Sequence, residues 1–278
     1  MKSVWVYYPQ IHHYSATVYD GPEGVVYFGG KEPSRCDDVV FTVDTTLVDV
    51  DRQRLLVLEP AIVEPRLHDD DVLSRWGRVY TFGKSELPNV RRYRMGMPPL
   101  WPGLGALHIH PWESRHNAIA CVTGNKYPGR RDRLELYAQA AEQAGLGFHV
   151  YGVPGFPAER WYRGAITGTA VHKRELLSWY RYCLALENTF DCGYYLTEKL
   201  LDGLVSGCFC FYEGGPVRSQ YPELPWEWVQ PPLTVGAVLP NAELHRQYLA
   251  ELLRRLPQIS AATSMTPIWR MILEETRT

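Results

Sequence analysis

The chain has 278 residues, 29 basic against 31 acidic side chains, a formal net charge of −2, and a composition that is 45% hydrophobic and 22% charged. That balance is ordinary for a globular protein and argues against disorder. It also gives no global field to draw in nucleic acid or an anionic membrane surface, so any anion must be met by a local cluster. No window approaches the roughly 18 uninterrupted apolar residues that a membrane span needs, and the N-terminus is a short apolar run ended by Pro9 rather than a signal peptide. The expectation is a cytoplasmic protein with no stable membrane insertion. Its six cysteines contain no CxxC pair and sit mostly in apolar runs, which predicts reduced, buried thiols rather than bridges or zinc.

In chain order, the first hundred residues hold strand-like runs at Ser3–Tyr8, Gly24–Phe28, Asp38–Val43, Arg54–Leu58 and Arg78–Phe82, separated by Gly, Pro and Asp turns. The stretch Met95–Gly105 is dense in Pro and Gly, carries no period, and reads as a linker. Beyond it strand and helix alternate. Ala118–Val122 is a strand, and a helix over Asp132–Gly145 places Leu134, Tyr137, Ala138 and Ala141 on one face with Gly145 as its stop. Phe148–Tyr151 reads as a strand, Lys173–Trp179 as a helix, and Tyr182–Glu187 as a strand. Thr197–Val205 is a helix with Thr197 as N-cap, and Cys208–Tyr212 a further strand. Leu244–Leu256 is amphipathic on Leu244, Leu252 and Leu256, and Pro267–Glu275 is one more helix. Such alternation specifies a parallel sheet with ligands beyond the carboxyl ends of its strands.

One of those ends gathers polar groups. The apolar strand Tyr182–Leu186 delivers Glu187 and Asn188, and Tyr195-Leu196-Thr197-Glu198-Lys199 follows at a helix start. A helix N-terminus offers unpaired N–H groups and partial positive charge, and Lys199 adds a full charge in the first turn, where it is unfavourable unless an anion is present. From the residues alone, a diphosphate site and a solvated Lys are about equally supported.

The segment Tyr180 to Thr189, then Tyr195 to Leu200, then Gly207 and Phe211–Gly214, resembles the alpha-1,3-fucosyltransferase signature: a strand ending in Glu-Asn-Ser/Thr, a Tyr-x-Thr-Glu-Lys helix start, and a strand ending in Gly. Cys121–Asn125 with Arg130 and Arg131 is similar to that family's strand, Asn and Arg element. The resemblance covers residues 105–256 well and the first hundred loosely. It implies an α/β protein of the GT-B type, two Rossmann-like lobes facing a central cleft: 1–104 taking the acceptor, 105–257 taking the GDP-sugar, and 258–278 a helical tail.

It implies further an inverting transfer of a sugar, L-fucose, from a GDP-sugar donor to a hydroxyl of a glycan or glycoconjugate acceptor, with no metal and no nucleic-acid partner. Lys199 and Arg131, with Arg130 as alternate, would neutralise the diphosphate. Tyr195 and Asn188 would bond phosphate or sugar, and Glu198 ribose or sugar hydroxyls; Asn125, Glu187 and Thr197 complete the donor site. Glu59, which ends the strand from Arg54 and precedes Pro60, would be the base, and Glu64 the alternative. The rival readings are a UDP- or dTDP-sugar transferase of another family and a non-catalytic nucleotide- or glycan-binding module. Asp49–Asp51 and Asp69–Asp71 are weak metal motifs on spacing, and His12-His13 and His108–His110 lack the partners of a metal site.

Overall fold

The structure is a computed structural model and describes residues 2–7, 15–29, 38–42, 54–58, 65–95, 109–125, 129–153, 155–166, 170–233 and 239–275. The chain is α/β and divides into two compact units, Met1–Trp101 with Ser264–Thr278, and Pro102–Thr263.

The first unit is a seven-stranded sheet in the order β2-β3-β1-β4-β5-β6-β7, made of β1 (Lys2–Tyr7), β2 (Ser15–Gly21), β3 (Gly24–Gly29), β4 (Asp38–Phe41), β5 (Arg54–Leu56), β6 (Arg78–Thr81) and β7 (Val90–Arg92). Every pairing is parallel except the β2–β3 hairpin. Parallel strands are covered on both faces and so read as continuous apolar runs. Val4, Trp5, Val6, Leu55, Leu56 and Val79 are all buried, which is why the five inner strands were visible in the sequence. The edge strands β2 and β7 lack that continuity: Thr17 and Asp20 on one and Arg91 and Arg92 on the other carry the polar side chains with which edges avoid further pairing.

Asp69–Asp71 has a structural explanation. Asp69 caps the short helix α1 (Asp70–Leu73) by accepting from the Asp71 N–H at 2.9 Å, and Asp70 accepts from Ser85 at 2.8 Å. The last helix in the chain, α6 (Thr266–Glu274), belongs with this unit. It packs on β1 and β3 through buried Ile268, Trp269, Ile272 and Leu273, and the Arg54 guanidinium donates to the Ile272 carbonyl at 2.8 Å and to that of Glu275. A cation on the closing carbonyls of a helix suits its dipole.

The second unit is an all-parallel sheet in the order β10-β9-β8-β11-β12-β13, with β8 (His116–Val122), β9 (Gly147–Tyr151), β10 (Tyr162–Gly164), β11 (Tyr180–Leu186), β12 (Phe209–Glu213) and β13 (Val229–Gln230). Its helices are α2 (Arg130–Gln143), α3 (Ala170–Ser178), α4 (Glu198–Val205) and α5 (Ala242–Ala262). α2 buries Leu134, Tyr137, Ala138 and Ala141, as its periodicity indicates, and stops before Gly145 at φ 71°. Cys121, Cys183, Cys208 and Cys210 are buried thiols, and burial first of all raises the Cys121 pKa to about 12.

The apolar stripe of α5 keeps Leu252 of the expected one but not Leu244 and Leu256. Its buried residues are His245, Tyr248, Leu252 and Ile259, whereas Leu244 is exposed and Leu256 half-buried. The stripe is set by two amphipathic rings that an aliphatic count overlooks: His245 Nε2 donates to the Gly207 carbonyl (2.8 Å), and the Tyr248 hydroxyl donates to the Leu204 carbonyl (2.9 Å). The expected linker falls largely outside the described residues, as do Glu59, Glu64, Asp49–Asp51 and His12-His13.

α4 lies directly on β11 and β12 because it carries Gly203. A Cβ there would stand 2.7 Å from Cys210 Sγ and 3.0 Å from Cys183 Sγ. Gly203→Val should therefore destabilise the protein: overpacking costs about 1–3 kcal/mol, while leaving Gly in a helix returns less than about 1 kcal/mol. Urea denaturation checks this, and a variant as stable as the parent would show that the helix can lift without penalty.

Candidate functional site

The chain of the second unit runs outward from β8 to β9 and β10, then returns across β8 to lay β11, β12 and β13 on its other side. The strand order reverses between β8 and β11, and in an open parallel sheet the crevice outside the carboxyl ends at such a reversal is where ligands bind. β8 runs out there into Thr123-Gly124-Asn125, and β11 into Glu187-Asn188. α2 and α4 follow those two strands, so both open at this edge with their unpaired N–H groups.

Glu187 is fully buried. A carboxylate in that position must be compensated by hydrogen bonds and charge, and the start of α4 does this. Glu187 Oε1 accepts from the Thr197 N–H at 2.9 Å, and Oε2 accepts from the Thr197 hydroxyl at 2.7 Å and from the Lys199 ammonium at 3.3 Å. Thr197 is the N-cap: its Oγ1 accepts from the Lys199 N–H at 3.4 Å and from Lys199 Nζ at 3.1 Å while its proton goes to Glu187. Thr197 and Glu187 thus fix where the Lys199 ammonium stands. The first-turn cation that had suggested an absent anion is accommodated by two carboxylates of the protein, Glu187 and, at 3.9 Å, Glu198.

Behind it lies a relay of ion pairs between residues distant in sequence, one that no local motif announces. Lys173 on α3 sits 3.6 Å from Glu198 and 2.9 Å from Asp202, and Arg174 Nε donates to Asp202 at 2.7 Å. Asp202 is fully buried in α4 among Leu200, Leu201, Leu204 and Val205. That acid on an otherwise apolar face was the available signal, since a charge there needs a partner. Burial opposes the Lys199 charge, but Glu198 and Glu187 outweigh it and hold the pKa above the ordinary 10.5. For Lys173 burial likewise opposes and Glu198 and Asp202 prevail, again raising the pKa.

The two adjacent arginines of α2 part company. Arg130 is fully buried and bridges to the next strand end, donating from Nη1 to the Leu186 carbonyl (3.3 Å) and from Nη2 to Asn188 Oδ1 (2.7 Å). Arg131 points away, its side chain 65% exposed and paired with Glu159. The site therefore gathers Arg130, Glu187, Asn188, Thr197, Glu198 and Lys199. Tyr195 is buried just before α4, and Asn125 is exposed beyond β8. At the end of β12, Glu213 accepts from the Tyr137 hydroxyl and pairs with Arg133, whose guanidinium lies 3.8 Å over the Phe190 ring. This ties the loop after Asn188 to α2. Among the described residues no group of three His, Cys, Asp or Glu side chains could hold a metal ion, and no helix is long and apolar enough to cross a membrane.

No family model matches the chain, and no curated protein sequence matches it. Among solved structures it is similar to an alpha1,3-fucosyltransferase with GDP, at 13% identity over 99% of this chain and 91% of that one, TM-score 0.47. It is also similar to the pneumococcal O-GlcNAc transferase GtfA in complex with UDP and GlcNAc, at 13% identity over 86% and 56%, TM-score 0.47. A third is an alpha-glucosyltransferase in complex with UDP-glucose and DNA containing an abasic site, at 11% identity over 87% and 77%, TM-score 0.41.

The lysine shifts give a pH dependence. Both folded pKa values lie above the unfolded one, so the stability they contribute is fully present below 10.5 and is lost as pH rises through the folded values. The melting temperature should show no loss from these groups up to about pH 10 and fall above it. Lys173→Met should remove part of that alkaline fall; an identical alkaline limb in the variant would contradict the assignment.

Proposed function

We propose that the second unit holds the pyrophosphate of a GDP-sugar at the reversal between β8 and β11, and that the chain is an inverting glycosyltransferase of the alpha-1,3-fucosyltransferase type with the two-lobed GT-B arrangement. The observation that carries the reading is the meeting of Lys199 and Arg130 there: the ammonium fixed by Glu187 and Thr197, the guanidinium fixed by Asn188 and the Leu186 carbonyl. The signature residues that resemble the family are the ones that build this corner. Arg130 replaces Arg131 as the proposed guanidinium, because Arg131 is turned to Glu159 and solvent.

Chemically, the departing nucleoside diphosphate gains negative charge as the glycosidic bond breaks. Cations and helix N-termini already in place at that point lower the barrier, each preorganised donor contributing roughly 3–4 kcal/mol. The two basic side chains supply the positive charge that a divalent ion supplies in other transferases. Glu187, an anion whose oxygens already accept from Thr197 and Lys199, acts by holding Lys199 rather than by touching the donor. Glu198, partly exposed between Lys173 and Lys199, is the carboxylate for ribose or sugar hydroxyls. Inversion by a single displacement needs a base on the face opposite GDP; Glu59 is proposed for it and Glu64 as its alternative. L-fucose as the sugar, a glycan hydroxyl as the acceptor, and acceptor binding by the N-terminal unit rest on the same resemblance.

Isothermal titration with GDP and UDP tests the site. The parent should take up GDP in preference to UDP. Lys199→Ala and Arg130→Gln should each weaken GDP roughly tenfold to a hundredfold, the range for losing a hydrogen bond to a charged group, while Arg131→Ala stays within about twofold. Equal losses at Arg130 and Arg131 would contradict the reassignment, and no GDP uptake by the folded parent would end the reading. Glu59→Gln should depress sugar transfer far more than GDP affinity; a parallel fall in both would give Glu59 a structural role.

A further inference from the structure

Tyr212, in β12 beside β11, has a hydroxyl shut off from solvent and without a hydrogen-bond partner among the described residues. A buried polar group left unsatisfied is costly and asks for an explanation. Its position supplies one. Gly214, two residues on, allows the hydroxyl to stand next to Glu187: a Cβ on Gly214 would lie 2.2 Å from Tyr212 Oη and 2.9 Å from Glu187 Cγ. The ring is held edge-on to Trp226, with centroids 5.9 Å apart. Burial above all, and then the Glu187 charge, raises the Tyr212 pKa, so the hydroxyl keeps its proton and can donate it.

Glu187 accepts three bonds from side chains and backbone of the α4 start, and the one from Lys199 is the longest, 3.3 Å against 2.9 and 2.7 Å from Thr197. A pyrophosphate drawing the ammonium toward itself would break that bond first. It would leave a buried carboxylate short of a donor, the costly half of a broken buried pair.

We propose that Tyr212 is a positioning residue that takes the place of Lys199 on Glu187 when Lys199 moves onto a pyrophosphate, so that releasing the lysine does not strand the carboxylate. The identity of the anion rests on the function proposed above; the exchange between the two donors on Glu187 does not. No covalent bond changes, only which N–H or O–H the carboxylate accepts.

The exchange is read without nucleotide by thermal melts of four proteins: the parent, Tyr212→Phe, Lys199→Met and the double variant. Tyr212→Phe should melt at or above the parent temperature, because it removes an unsatisfied hydroxyl. In the Lys199→Met background the same change should lower the melting temperature, because the hydroxyl then serves Glu187. Strict additivity, or a loss of stability from Tyr212→Phe alone, would overturn the proposal. With GDP, Tyr212→Phe should bind roughly tenfold more weakly than the parent while remaining as stable without it. Unchanged affinity in a parent that binds GDP would overturn the proposed role in ligand release of Lys199. A parent that takes up no GDP would remove the nucleotide reading and leave the four melts to decide the exchange.

Discussion

A carboxylate with no exposed surface at the end of a central strand constrains everything around it. Glu187 cannot sit at the carboxyl end of β11 unless donors are brought to it, and the donors come from the first turn of α4: a backbone N–H, the cap hydroxyl and an ammonium. The strand end, the helix entry and the lysine are therefore one structural unit. Its energetic logic is that of a buried pair, in which keeping all partners is worth little net but losing one is expensive. Lys199 is held in place without any ligand, and a ligand that engages it must compete with Glu187.

The ion pairs behind it extend the same logic through three elements. Asp202 anchors Lys173 and Arg174 of α3 to α4, and Lys173 and Lys199 flank Glu198. Asp202 thereby holds α3 to α4 over the sheet, and Gly203 lets α4 rest directly on Cys183 and Cys210. Chemical groups that must be held to a few tenths of an ångström are best supported on rigid elements of this kind.

The fold was legible wherever burial imposes a periodic pattern. The inner parallel strands are continuous apolar runs, α2 shows its buried face in Leu134, Tyr137, Ala138 and Ala141, and Thr197 announces its helix as an N-cap. What was not legible depends on rotation or on distance along the chain. One residue on a helix is a turn of about 100°, and that decides between a buried Arg130 and an exposed Arg131, a choice that neighbouring identical residue types cannot express. On α5, Leu252 faces the core as expected, but His245 and Tyr248 take the places assigned to Leu244 and Leu256 because they carry apolar bodies with polar tips. Arg174 and Asp202 meet across a sequence separation of 28 residues, with no local motif to link them.

The corner formed by the starts of α2 and α4 is proposed to receive a nucleotide's pyrophosphate. A crystal structure of the chain with GDP tests it most directly. The pyrophosphate oxygens should lie within hydrogen-bonding distance of Lys199 Nζ and the Arg130 guanidinium, outside the carboxyl ends of β8 and β11. Density for GDP at any other place, with Lys199 still on Glu187 and Arg130 still on Asn188, would contradict it.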